Sequence, residues 1–307
     1  MKIIILNILI ILIIPFIFIG IINKTKAFWG GRKGASILQP YYDFIKLMKK
    51  GEVISSTTSW VFFYAPIVYL STVIFAGLLL PIIDHTAVIS FEGSFILFAY
   101  ILALGKFFRI IGALDTGSSF EGMGAAREAF FTSIPEPAFF IILGSISIFG
   151  EINSFERIFG LYHAGSELSL LIVVLTVIIL LIILLVEGSR IPIDDPNTHL
   201  ELTMIHEVMI LDNSGPSLAI IQYGAAMKML ILSGLIVNFI IPYSVGPMIH
   251  LAYFACGITI SAITIGTIET LTARFRLVRV PDFIFTVIGM SLMVMFIILL
   301  YYYGGRR

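Results

Sequence analysis

The chain has 307 residues, of which 59% are hydrophobic and only 12% charged, with a mean hydropathy of +1.05. Soluble domains lie nearer half apolar and about one quarter charged, so this balance excludes a soluble enzyme and points to the membrane class. Formal net charge is zero without any basic block, which argues against nucleic acid as a partner, and the single cysteine, Cys256, can form no internal disulfide and cannot by itself hold zinc or an iron–sulfur cluster.

A helix crosses a bilayer with about 20 mostly apolar residues. In chain order, eight segments qualify: 3–22, 60–83, 91–114, 129–149, 168–187, 217–241, 247–268 and 283–303. The expected fold is therefore all-α, a single integral membrane domain over residues 1–307. The first segment is too long for a secretory core, and Asn23-Lys24-Thr25-Lys26 follows it rather than a small-residue cleavage site. An even number of spans puts both termini on one side.

Lysine and arginine indicate which side. Fourteen fall in the loops after the odd-numbered spans: Lys24, Lys26, Arg32, Lys33, Lys46, Lys49 and Lys50; Lys106, Arg109 and Arg127; Arg190; and Arg274, Arg276 and Arg279. Four fall on the opposite side (Lys2, Arg157, Arg306, Arg307), and Lys228 lies within a span. The positive-inside rule then expects a multi-pass protein of the cell membrane with both termini on the non-cytoplasmic side. The cytoplasmic loops near 23–59, 115–128, 188–216 and 270–282 are long and polar, as a docking platform would be; the plainer alternative is that length is merely tolerated there. In the first loop, Leu38, Tyr41, Tyr42, Ile45 and Met48 recur at helical spacing, with Asp43, Lys46, Lys49 and Lys50 on the other face, which describes an interfacial amphipathic helix on the cytoplasmic side.

A charge at mid-bilayer costs roughly 2.5 to 17 kcal/mol, so intramembrane ionisable residues are candidates for function. Glu136 stands between Pro135 and Pro137, Glu187 ends an apolar run, Lys228 sits in the middle of the sixth span and Glu269 closes the seventh. Glu121, Glu128, Asp194, Asp195, Glu201, His206 and Glu207 are expected near the cytoplasmic membrane edge. Such groups can be tuned to exchange protons near neutral pH and to form a relay with water; the alternative is a structural ion pair such as Glu136–Lys228. Asp195-Pro196 and the Thr198–Glu201 spacing also fit the start of a helix running to about residue 211. No catalytic constellation is complete. His206-Glu207 lacks the second histidine of a zinc-protease motif, because position 210 is isoleucine, and Gly122-Met123-Gly124 lacks the third glycine of a dinucleotide loop.

Three stretches carry a family resemblance. Arg32-Lys33-Gly34, Gln39-Pro40-Tyr41-Tyr42-Asp43 with Lys46-Leu47, and Ala65-Pro66 resemble the first loop of the H-subunit family of respiratory complex I. Gly124-Ala125-Ala126-Arg127-Glu128 followed by Glu136 resembles its third loop and fourth span. Glu187-Gly188-Ser189-Arg190-Ile191-Pro192-Ile193-Asp194, then Glu201-Leu202 and Glu207, resembles its fifth loop. Members that bind quinone tend to follow Pro-Phe-Asp with two or more glutamates; here the text is Pro192-Ile193-Asp194-Asp195-Pro196. With Leu114-Asp115-Thr116-Gly117-Ser118-Ser119 and Leu211-Asp212-Asn213-Ser214-Gly215-Pro216, this looks like the membrane subunit of group 4 nickel–iron hydrogenases of the formate hydrogenlyase and hydrogenase-4 type.

The resemblance implies a non-catalytic membrane anchor and coupling subunit of an energy-converting, hydrogenase-like complex, which docks a soluble redox arm and links electron transfer to proton or ion translocation. It implies no cofactor in this chain, iron–sulfur clusters in the partners, and leaves open a nickel–iron site in the large one. Implied partners are hydrogenase-like large and small iron–sulfur subunits and antiporter-like membrane subunits. Glu136, Glu187, Asp194, Asp195, Glu201, His206, Glu207, Lys228 and Glu269 are the expected pathway and coupling residues; Arg32, Asp43, Lys46, Arg127 and Arg190 are the expected docking residues. The alternatives are a quinone-site subunit of an NADH:quinone oxidoreductase, a stand-alone secondary transporter, for which the halves show no clear inverted repeat, and a purely structural anchor.

Overall fold

A computed structural model describes residues 2–83, 87–150, 154–159, 167–194, 204–242 and 245–304, and these are all-helical. Helix α1 (Lys2–Trp29) is apolar on every side, as a lipid-immersed helix is, and continues two turns past the expected end at residue 22. Asn23, Lys24 and Lys26 carry it out of the apolar layer. It stops where Gly31 adopts φ +64°, with the amides of Gly30 and Arg32 donating to the carbonyls of Lys26 (3.0 Å) and Ala27 (2.8 Å).

The amphipathic segment forms α2 (Gln39–Met48), with Pro40 in its first turn. Its apolar residues divide between two surfaces. Tyr41 and Phe44 pack on Phe16 of α1 at ring-centroid distances of 5.1 and 5.4 Å, whereas Tyr42, Ile45 and Met48 are exposed. The helix thus lies against the bundle on one side and offers its other apolar residues to the membrane interface.

Helix α3 (Trp60–Leu79) is followed by α4 (Ser94–Asp115), α5 (Ser119–Ser133), α6 (Pro135–Gly150), the single turn α7 (Phe155–Ile158), α8 (Glu167–Glu187), α9 (Gly215–Ile240), α10 (Pro247–Leu271) and α11 (Val280–Gly304). Two 3-10 turns, Glu207–Ile210 and Leu277–Arg279, sit in the connections. Most of the stretch read as a third loop, 115–128, is helical from Ser119. Its small residues explain why: a side chain at Gly124 would come within 2.3 Å of Val208, so α5 packs directly on the 3-10 turn at 207–210 instead of standing off in water. Only Ile134 separates α5 from α6, and it too is helical (φ −68°, ψ −42°). The break reflects Pro135, which brings no amide proton. Lys106 and Arg109, counted above with the third loop, lie inside α4 and are buried.

Among the described residues, eight helices are long and apolar enough to cross a membrane, with α5 and α6 together forming one of them. The chain is a multi-pass membrane protein. Helix α9 is its hub, packing on α1, α3, α8 and α10, with α2 across its start. Of its most apolar stretch 78% is buried, against 28% for α10 and for α11, so the peripheral pair faces lipid and α9 does not. Close approach sets the spacing around α3: side chains at Gly105 and Gly224 would fall 2.2 Å from the Thr72 hydroxyl and 2.6 Å from the Tyr69 ring. Small residues at such contacts replace the hydrophobic drive that lipid does not supply.

Candidate ion pathway

Four of the intramembrane charges form one ladder across four helices. Glu136 (α6), Lys106 (α4), Glu187 (α8) and Lys228 (α9) are joined in that order at 2.8, 2.8 and 2.5 Å. Lys106 donates to Glu136, to Glu187 and to the Thr132 carbonyl (3.2 Å), which uses all three of its ammonium hydrogens. Glu187 bridges, with Oε1 on Lys106 and Oε2 on Lys228. The ion pair weighed from sequence, Glu136 with Lys228, is therefore spaced by two further charges. Lys228, Lys106 and Glu187 have side chains 5 to 11% exposed, but Glu136 is 39% exposed at the end of the ladder. A cavity of about 90 Å³, walled by Tyr100, Phe139, Phe140 and Leu232, lies along it.

A second cluster gathers residues of the connection after α8 with Glu128 of α5, Glu269 of α10 and Arg274. His206 Nδ1 is 2.6 Å from the Ser189 hydroxyl and 3.2 Å from Glu128, which is 1% exposed. Asp194 pairs with Arg274 at 2.8 Å, and its Oδ2 accepts from the amides of Ile205 and His206, both at 3.1 Å. Arg127 donates to the Met204 carbonyl (2.8 Å), so residues 204–206 are held from two sides. Glu269 takes Arg190 at 3.2 Å and Lys26 at 2.6 Å. Ser189 follows Glu187 by two residues, so the cluster begins next to the ladder along the chain.

Against this cluster opens a cavity of about 410 Å³ between α1, α2, α9 and the loops at 188–190 and 206–207. Its polar wall includes Asn23, Asp43, Arg190, His206, Glu207 and Gln222. Such a wall suits water, and His206 is part of it.

The docking set separates by exposure. Arg32, Asp43 and Lys46 are exposed, with Asp43 accepting from Gln39 at 2.9 Å. Arg190 and Arg127 are turned inward, because Glu269 and the Met204 carbonyl supply the partners a partly buried guanidinium requires. Asp195 and Glu201 lie outside the described residues, as does most of the helix expected over 195–211; within 204–211 only the 3-10 turn is helical. Lys106 escaped the sequence reading because it was grouped with loop cations. Its place eight residues or more inside an apolar run, three before Arg109, was the signal that it faces inward.

The two segments that suggested the hydrogenase branch are structural clasps. Asp115 accepts from the Ser59 amide (2.7 Å), the Ser59 hydroxyl (2.8 Å) and the Phe62 amide (3.1 Å), which closes the start of α3. Buried Glu121 accepts from the Asp212 amide at 2.8 Å. Ser214 accepts from the Val53 amide at 2.9 Å, and the Ser217 hydroxyl donates to Glu52. Loops at 51–59, 114–121 and 211–217 are thereby sewn into one surface. Among the described residues no group of three histidine, cysteine, aspartate or glutamate side chains is placed to hold a metal.

Comparison with known proteins agrees with this architecture. The chain is 27% identical over 264 residues to hydrogenase-4 component C of Escherichia coli (strain K12), covering 86% of this chain and 82% of that one. It is 26% identical to formate hydrogenlyase subunit 4 of the same organism, covering 85% and 87%. The NADH-quinone oxidoreductase H-subunit of Anaplasma phagocytophilum (strain HZ) matches at 24% over 76% of this chain and 74% of its own length. A chain of an archaeal membrane-bound sulfane sulfur reductase complex superposes with a TM-score of 0.79 at 19% identity, covering 96% and 98%, so the two share a fold. The model of the NADH dehydrogenase family matches residues 1–300, and the chain belongs to that family.

Proposed function

We propose that this chain is the membrane anchor and coupling subunit of a hydrogenase-like complex related to complex I, and that it carries no catalytic centre. The observation that carries the reading is the buried Lys228–Glu187–Lys106–Glu136 ladder, with the His206–Glu128 pair and the large polar cavity beginning at Gly188 and Ser189, just beyond Glu187. The sewn loops form the platform for hydrogenase-like large and small iron–sulfur subunits, with Arg32, Asp43 and Lys46 as its exposed charges. Antiporter-like membrane subunits lie alongside. The excess of lysine and arginine in these loops supports a platform in the cytoplasm with both termini on the other side of the cell membrane.

In this mechanism, electron transfer in the docked arm changes charge or conformation at residues 188–207. Asp194, Asp195, Glu201, His206 and Glu207 receive that change, and Glu269 anchors it through Arg190 and Lys26. A ladder of alternating charge responds as a unit. Neutralising Glu187 releases two lysines at once, so a proton arriving at one end alters the pairing at the other. The coupling is a free energy between two sites and acts in both directions.

Glu207→Gln and Glu201→Gln in the assembled complex test this. Expected is loss of proton or ion pumping by membrane vesicles with assembly and redox turnover retained; unchanged pumping in both variants overturns the relay. The quinone-site reading has one observation in its favour, a cavity of about 410 Å³ that falls within the small-molecule range of about 300–1,000 Å³. Inhibition of the complex by a quinone analogue would establish that reading in place of the hydrated one.

A further inference from the structure

Arg109 is a buried charge that stands in the field of Glu128 but is not one of the hydrogen-bonded steps of the ladder or the cluster. It lies on α4 one turn beyond Lys106, is 7% exposed, and sits with its guanidinium carbon 4.9 Å from the centre of the Tyr69 ring. Cation–π attraction does not satisfy directional N–H donors, and both Nε and Nη2 are without a protein acceptor. Arg109 lines a cavity of about 20 Å³ bordered by α3, α4, α9 and residues 209–213. Also lining it is Asn213, 9% exposed, whose Oδ1 has no donor. The remaining lining is apolar, including Phe62, Pro66, Met209 and Ile221.

A buried polar group left unsatisfied costs about 1–3 kcal/mol, and more when charged. Two unmatched donor atoms on a cation and one unmatched acceptor, on residues lining the same small cavity, are complementary to a single ligand that both accepts and donates. An anion fits one half only, since it would meet the lone pairs of Asn213. Water fits both. The volume exceeds the roughly 10–15 Å³ one water needs, and three polar atoms lie within the usual range of about 2–4 partners. We infer that Arg109 and Asn213 hold an internal water between α4 and the 211–216 turn. The water ties that turn, which also receives Glu121 and is bound to the 51–59 loop, to the helix carrying Lys106. Arginine does not deprotonate, so the site holds water beside the pathway without relaying protons through it.

Radiolytic labelling of the purified complex tests the site independently of any pumping. Hydroxyl radicals formed from a bound water oxidise the nearest methionine to its sulfoxide even where bulk solvent is excluded. Met209 lines the cavity at 2% exposure; Met227, at 0%, lines none of the three cavities described. Expected is rapid Met209 oxidation with Met227 protected, and loss of Met209 oxidation in Asn213→Leu, which fills the cavity and removes the acceptor. Equal protection of Met209 and Met227 in the unmutated protein would overturn the proposal, and that comparison needs no variant to fold.

Discussion

The ladder and the second cluster, around Asp194 and His206, are built from the same residue types but held differently. In the ladder, carboxylates and lysines bind mainly one another: Glu187 is satisfied by two lysines, and the only backbone acceptor named is the Thr132 carbonyl. In the cluster the main chain takes part, with Asp194 on two amides and Arg127 on a carbonyl. Backbone partners fix a charge in place, whereas side-chain partners let a pairing be exchanged when one member is neutralised. Under the proposed coupling function, the difference would give positioning to Asp194 and Arg127 and switching to Lys106, Glu187 and Glu136.

The contrast breaks most visibly at Glu187. Glu187→Gln strips two buried ammonium groups of a shared counter-charge, and removing one member of a buried pair costs about 3–5 kcal/mol. The expected outcome is a marked fall in thermal stability of the complex together with loss of pumping. Lys106→Met combined with Glu136→Gln should cost less than the sum of the two single changes, because the double variant leaves neither partner orphaned. Strict additivity in melting measurements would show that the two residues do not act as one unit.

At His206, beside Ser189 in the second cluster, the expected effect on stability is smaller. His206→Gln retains a hydrogen-bonding side chain beside Ser189 and Glu128 but cannot carry a proton between them. Losing one hydrogen bond to a charged group costs about 1.5–3 kcal/mol at most. The predicted result is an assembled complex whose redox turnover continues and whose pumping does not. Intact pumping would move the proton route away from Glu128 and back to the wall of the large cavity.

Much of the fold was legible because spanning a bilayer is a one-dimensional demand: a run of apolar residues of sufficient length declares itself. Glu136, Glu187 and Lys228 were legible for the same reason, since each interrupts or ends such a run. What the pattern does not carry is pairing. Lys106 links Glu136 to Glu187, which lies 81 positions away, and nothing local in either segment encodes that meeting. The helix at 119–133 was hidden because its low hydropathy reads as loop. Its helical state depends on Gly124 and Ala125 meeting Val208 and Met209, a tertiary contact. Arg190 lies in a loop as its neighbours suggest, but its pairing with Glu269, far along the chain, is not encoded locally.

The smallest effect is expected at Asp115, where the comparison is with a charge that serves neither the ladder nor the cluster. Its carboxylate receives two amides and a hydroxyl at the start of α3, the geometry of a capping group supplied from another helix. Replacing a cap by alanine typically costs about 0.5–2 kcal/mol. Asp115→Ala should lower the melting temperature slightly and leave pumping by the assembled complex unchanged. Asp115 lies in one of the two segments that set this chain beside the hydrogenase relatives. A variant that assembles and pumps normally would show that this segment marks how the loops are fastened and not what the pathway conducts. If pumping fails while the melting temperature holds, the sewn platform is itself part of the coupling, and the separation between fixed and exchangeable charges has to be redrawn to include it.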